Sequence, residues 1–224
     1  MFKRLLELLK KEDLLHQAVT DAVEMLKLAK KIYQDAMAPF AEGREIDPQQ
    51  VYEVDQKINQ YEIEIRRKIL EHLSVSPQQD TTAALVLTTI TVDIERLGDY
   101  SKNFVELWEL YNAPLQENEY LNRLLEVHRR ILGMYDDTLE AFSEGNAEKG
   151  KQVMETHIIN SKDCEEVIAA LIRTPGSCGM SPNQEVLIAL TARYLKRISA
   201  HLKNIASSVV NPFDRIGYKP VDRT

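Results

Sequence analysis

Late in the first half of the chain stands a group of ionisable side chains suited to holding a cation: Asp93, Glu95 and Asp99, with Arg96 and Gly98 among them. Glu95 and Asp99 are four positions apart, which on a helix puts both carboxylates on one face. Two like charges so placed repel by about a few tenths of a kcal/mol when exposed. A hard cation such as iron, manganese, magnesium or calcium would relieve that repulsion and take the oxygens as ligands. Gly98 costs up to about 1 kcal/mol inside a helix, so it signals close packing or close approach there. A second acidic line holds Asp55, Glu62 and Glu64, with Asn59 four positions after Asp55. If the two carrying segments are antiparallel neighbours, Asp55 and Asn59 face Glu95 and Asp99, and a carboxylate site forms between bundle helices. The competing reading of the same residues is a solvated helix face, ion-paired to Arg66 and Arg67.

Helices carry these side chains. Leu5, Leu8, Leu9, Leu14, Leu15, Val19, Val23, Leu26 and Ile32 recur at spacings of three and four, the mark of one helix face. That first helix is expected to end near Met37, before Pro39 and the Glu42-Gly43 turn. Asp47-Pro48 opens a second, because Asp caps free amides and Pro fits the first helical position; it carries Val51, Val54, Ile58, Tyr61, Ile65 and Leu70 to about Leu73. Ser76-Pro77 opens a third that runs to about Tyr111. A fourth spans roughly 115–143, a fifth 147–172 and a sixth 183–210, where Asn211-Pro212 stops it. The Thr- and Val-rich stretch Ala83–Ile94 lies within a long segment without Gly and is assigned to helix. The fold class is all-α, and the short connections favour antiparallel neighbours.

The helices repeat. Phe40-Ala-Glu-Gly43 recurs as Phe142-Ser-Glu-Gly145, and Gln50-Val51 as Gln152-Val153. Glu95-Arg96-Leu97-Gly98-Asp99-Tyr100-Ser101-Lys102-Asn103 faces Lys196-Arg197-Ile198-Ser199-Ala200-His201-Leu202-Lys203-Asn204. Several collinear matches make the chain two tandem antiparallel three-helix bundles, residues 1–113 and 114–224. The chemistry of the first does not recur in the second: Lys196 replaces Glu95, Ala200 replaces Asp99, His157 stands for Asp55 and Ser161 for Asn59. A protonated lysine offers a metal no lone pair, so metal is expected in the first unit alone.

Composition narrows the classes. In 224 residues, 35 acidic against 28 basic side chains give a net charge of −7, which opposes general nucleic-acid binding. The cysteines, Cys164 and Cys178, are too few for a disulfide framework and are expected to be structural or incidental thiols. No apolar run approaches the roughly 18 to 20 residues of a membrane span and no signal peptide opens the chain, so a cytoplasmic location is expected. Met1–Lys11 is amphipathic and basic, suiting an interfacial helix or, given the apolar spacing that continues to Ile32, the packed start of the first helix. Tyr33, Trp108, Tyr111 and Tyr120 are expected near the bundle ends, and the tail from Asn211 to Pro220 is expected to be extended.

The segment Asp93-Ile-Glu95-Arg96-Leu-Gly98-Asp99-Tyr-Ser-Lys-Asn103 resembles the acidic E/D-x-x-x-D motif, in its "ERIGD" setting, of the PhoU family of phosphate-uptake regulators. Asp55-Gln-Lys-Ile58-Asn59-Gln-Tyr61-Glu62 resembles that family's first acidic stretch, with Asn59 where a second Asp is usual. The two-unit repeat extends the resemblance from about residue 10 to 210. It implies a cytoplasmic regulator at the inner membrane face, restraining phosphate uptake or the starvation response through a phosphate transporter or a sensor histidine kinase. It also implies iron or another divalent metal held by Asp55, Glu95 and Asp99; a homodimer is expected. Partner contact would fall on Glu95, Arg96, Asp99 and Arg197.

Three classes compete. A regulatory binding module fits the lack of any nucleophile elbow, P-loop or nucleotide fingerprint, and it includes an accessory subunit of a phosphate permease. A carboxylate-bridged metalloenzyme would want Glu-x-x-His motifs, and none occurs; the chain is therefore not expected to be an enzyme. A structural or metal-binding helical oligomer is the third.

Overall fold

The computed structural model describes residues 13–75, 80–111, 113–176 and 178–219. Six helices fill them: α1 (Leu14–Glu42), α2 (Pro48–Val75), α3 (Thr81–Tyr111), α4 (Glu119–Glu144), α5 (Ala147–Arg173) and α6 (Pro182–Val210), followed by a 3-10 turn at Phe213–Arg215. Their ends follow from local chemistry. Asp13, Asn118, Asn146 and Ser181 each accept a first-turn amide through the side chain, neutralising donors that the helix leaves unpaired. Asp47 does the same for the Gln49 amide at 3.0 Å. Gly43 and Gly145 close α1 and α4 in the left-handed conformation that glycine adopts without strain.

The structure departs from the sequence expectation at two helix ends. α1 does not stop at Met37 but runs through Pro39 to Glu42. Pro39 lies so near the C-terminus that it forfeits one intrahelical bond, while burial of Phe40 against Trp108, at 5.4 Å between rings, holds the last turn in place. α4 begins at Glu119 rather than 115, because Asn118 caps it. Ile69, not Leu70, is the core residue of late α2; Leu70 is 69% exposed. The Met1–Lys11 segment and Ser76-Pro77 lie outside the described residues.

Within the first unit α1, α2 and α3 pack on one another; within the second, α4, α5 and α6 do. Between units, α3 packs along α6 and α1 along α4. Contacts such as Asp55 with Lys102, and His157 with Ser199, join early to late positions, so sequential helices are antiparallel. The buried apolar side chains of both units form one continuous core. Tyr33 belongs to it: it is fully buried rather than near a bundle end, because its hydroxyl meets His128 Nδ1 of α4 at 2.8 Å and its ring packs on Phe104 and Tyr135. A Tyr hydroxyl is tolerated in a core when so partnered.

The tail is not extended. Asn211 Nδ2 donates to the carbonyls of Arg215 (3.0 Å) and Tyr218 (2.9 Å), folding residues 211–218 into a loop. The Gly217 amide donates to Ser207 Oγ at 2.7 Å and Lys203 Nζ to the Gly217 carbonyl at 2.6 Å, fastening the loop to α6.

Candidate functional site

The first-unit acidic residues sit where α2 faces α3. Gly98 is the point of closest approach: a methyl group there would lie 3.1 Å from Ile58 Cδ1 and 3.4 Å from Asp55 Oδ1. Its missing side chain lets Asp55 reach α3, which accounts for a glycine inside a 31-residue helix. Asp55 is buried. Its Oδ2 accepts from Lys102 Nζ at 3.0 Å and, more weakly, from Asn59 Nδ2 at 3.4 Å. Lys102 Nζ also donates to Asp99 Oδ1 at 3.2 Å, so one ammonium bridges two carboxylates. Arg96 Nη1 donates to the other oxygen of Asp99 at 2.8 Å. The two carboxylates in turn raise the pKa of Lys102, against the opposing effect of its partial burial.

Glu95 stands beside this pair. Partial burial, then the charge of Asp99, push its carboxyl up to about 7, with Arg96 pulling the other way. A carboxyl so placed takes up a proton near neutrality. The structure thus brings Asp55 and Asp99 together through Lys102, with Glu95 and Arg96 at the solvent side; Arg96 is exposed.

These residues do not fit a metal as they stand. Among the described residues, no three His, Cys, Asp or Glu side chains are grouped to hold an ion. The Lys102 ammonium already lies between Asp55 and Asp99, and Asn59 supplies an amide where a carboxylate would strengthen the set. Asp55 Oδ1 is the one feature that favours a cation, being buried and without a hydrogen bond among the described residues.

The second unit places its counterpart residues in the corresponding geometry. His157 Nδ1 lies 3.0 Å from Ser199 Oγ, as Asp55 approaches Gly98. Burial first, then Lys203 and Lys196, hold His157 down at about 4, so it is neutral. Lys196 pairs with Glu165, and Lys203, the counterpart of Lys102, reaches the tail instead of a carboxylate.

Arg197 is engaged between the units. Its Nε donates to Tyr100 Oη at 3.1 Å, its guanidinium lies over the Tyr100 ring at 5.8 Å, and Nη2 lies 3.3 Å from His201 Nε2. Sequence reasoning missed Lys102, although its place three positions after Asp99 would have revealed the pairing. It also missed the Asp93–His201 contact and the α4–α5 network in which Arg130 Nε donates to Asn160 at 2.7 Å and Arg123 to Asp163 at 2.9 Å. Those join residues 30 or more positions apart and leave no local signal. Cys164 is buried, which pushes its thiol up to about 12 and leaves it unreactive.

Known proteins match this arrangement. The PhoU domain model matches twice, over residues 22–107 and 124–209. A curated relative from Thermotoga maritima, the phosphate-specific transport system accessory protein PhoU homolog 1, is 21% identical over 193 residues, covering 85% of this chain and 83% of its own. The crystal structure of PhoU from Pseudomonas aeruginosa superposes with a TM-score of 0.77 at 20% identity, covering 88% of this chain and 95% of that one. PhoU from Streptococcus pneumoniae, a phosphate transport system regulatory protein, gives 0.74 at 19% identity, with 94% and 95% covered. With two domain matches spanning most of its length in a tandem pair of three-helix units, the chain belongs to the PhoU family.

Proposed function

We propose that the protein is a non-enzymatic regulator that restrains phosphate uptake or phosphate-starvation signalling by binding a membrane partner, a phosphate transporter or a sensor histidine kinase. The observation that carries this reading is the first-unit strip of Glu95, Arg96 and Asp99, solvent-accessible on α3 and steadied from below by Lys102 and Asp55. An array of charges held by buried partners can dock a cationic or mixed surface with little loss of side-chain freedom. No helix among the described residues is long and apolar enough to cross a membrane, so contact with a transporter would be peripheral, at the inner face. A homodimer would double that contact. Arg197 would act indirectly, by fixing the second unit against the first.

The Thermotoga maritima relative is a phosphate-specific transport system accessory protein, which favours the transporter arm. Crosslinked capture from membranes of phosphate-replete cells, beside a Glu95→Ala/Asp99→Ala variant, tests both arms. A transporter or kinase captured by the wild type and lost with the variant is expected. Equal capture by both removes the acidic strip from the proposal, and capture of neither removes the regulator.

Metal at Asp55, Glu95 and Asp99 is a separate proposal, since Lys102 must first leave. Iron content measured after purification without chelator tests it, with Lys102→Ala as the permissive variant. A variant as metal-free as the wild type ends it.

A further inference from the structure

The loss of acidic residues from the second unit leaves a cation without its partners. In the first unit, Lys102 is matched by Asp55 and Asp99. The positions counterpart to those two carboxylates hold His157 and Ala200, and Lys203 Nζ donates instead to the Gly217 carbonyl. Asp93, whose negative field reaches Lys203, is already engaged by His201 at 2.7 Å and Asn204 at 2.9 Å.

Lys203 opens onto a cavity of about 360 Å³ between α5 and the folded tail. Met154 and Ile158 of α5 and Tyr218 of the tail give it apolar walls, and Lys219 is a second basic residue of the lining. Glu155 is the acidic residue of the lining, and His157 is neutral, so the lining carries a net positive charge. Ile158 is 59% exposed and Tyr218 62% exposed, with the Arg215 guanidinium over one face of the Tyr218 ring at 5.4 Å.

We propose that this cavity is a binding site for a small amphiphilic anion, an aromatic or short acyl body bearing a phosphate, carboxylate or sulfonate head. The head pairs with Lys203 and Lys219, replacing the carboxylates that the first unit supplies from its own chain. The body lies against Met154, Ile158 and Tyr218. Burial lowers the pKa of Lys203, and an anionic head would reverse that cost of desolvation. The volume exceeds what inorganic phosphate alone fills, and pockets of this size with apolar walls and few polar groups commonly hold organic ligands.

Titration calorimetry with 1-naphthyl phosphate tests the site, using 1-naphthol and inorganic phosphate as the body and head alone. Naphthyl phosphate is expected to bind the full chain at least tenfold more tightly than either part. Ile158→Glu, at an exposed position, and Lys219→Glu are each expected to weaken it tenfold or more, and Lys203→Met likewise. Because Lys203→Met also releases the tail, the two exposed variants keep the test independent of folding. Lys27→Gln, at an exposed position of α1 in the other unit, is expected to leave binding unchanged. No binding by the wild type, equal binding of 1-naphthol or of phosphate, or binding indifferent to Ile158→Glu overturns the proposal.

Discussion

His201 Nδ1 lies 2.7 Å from Asp93 Oδ1, so a side chain of the second unit and one of the first share a buried polar contact across the α3–α6 seam. The carboxylate can only accept, which places the proton on Nδ1 and leaves Nε2 to accept from Arg197 at 3.3 Å. Asn204 Nδ2 donates to the same Asp93 oxygen at 2.9 Å. Asp93→Ala strands both donors; the buried His201 Nδ1 costs about 1–3 kcal/mol when unpaired, and the part-buried Asn204 amide less. Thermal unfolding should show a midpoint lower by about 5–12 °C. A midpoint within a degree of wild type would mean that the seam does not depend on this contact.

Lys102→Met leaves Asp55 buried with no cation. Removing one partner of a buried pair typically costs about 3–5 kcal/mol; with Lys102 partly exposed, about 2–4 kcal/mol is expected here. Asp55→Asn in the same chain should restore most of it, because the amide needs no counter-ion. Denaturant unfolding of the two single variants and the double gives the coupling directly, and additive losses would show that the pair does not interact.

Glu95 sets a pH dependence of its own. Its folded-state carboxyl titrates near 7, raised by burial and Asp99 from an ordinary value of 4.5. The folded state therefore holds more protons between those values, so this group lowers stability as pH rises from about 4.5 to 7. Glu95→Gln should lose that slope and gain on wild type at pH 8. The gain should stay near or below about 1 kcal/mol, because solvent screens the site. Midpoints followed over pH 5–8 (a range of about three units) decide it, and identical slopes count against the assignment.

His128 and His157 act in the opposite direction. Burial holds each at about 4, against an ordinary 6.5, so the unfolded chain takes up protons first as pH falls. Each contributes stability that is present above 6.5 and lost on the way to 4, about 3.4 kcal/mol for a fully developed shift and about 2–3 kcal/mol once solvent screening is allowed for. His128→Gln keeps an acceptor for the Tyr33 hydroxyl and should flatten this limb of the profile. Titrating the His128 ring by NMR gives an independent check; a pKa near 6.5 would contradict it.

Gly150 marks where α5 meets α6 most closely. A methyl there would lie 2.7 Å from Val210 Cγ2 and 3.1 Å from the Ala206 carbonyl oxygen. The backbone oxygen cannot turn aside as a side chain can, so Gly150→Ala should destabilise by about 1–2 kcal/mol, despite alanine's higher helix propensity. An unchanged or raised midpoint would show that the helices separate at little cost.

Periodicity made most of the fold legible, since apolar residues at three- and four-residue spacing must line one helix face. Internal repetition then gave the two units, and the acidic motif gave the family. Pro39 does not end α1, because a proline near a helix C-terminus forfeits little and Phe40 beyond it has a buried place to fill. Leu70 suits a helix face by spacing as Ile69 does, and only the packed neighbour decides which turns inward. The candidate site was half legible: the carboxylates could be named, but not that Lys102 neutralises two of them. Tyr33 and His128 were not legible at all, since their contact spans the two units and 95 residues of chain.

The shared core between units carries a consequence for the connection joining them. α1 lies against α4 and α3 against α6, so Tyr33, Phe104, His128 and Tyr194 are covered by the opposite half of the molecule. A protease cut between Tyr111 and Glu119 would therefore not release two independent domains. It would leave a two-chain complex held by the same buried surface, and each half isolated from the other would be left with an apolar face seeking a substitute.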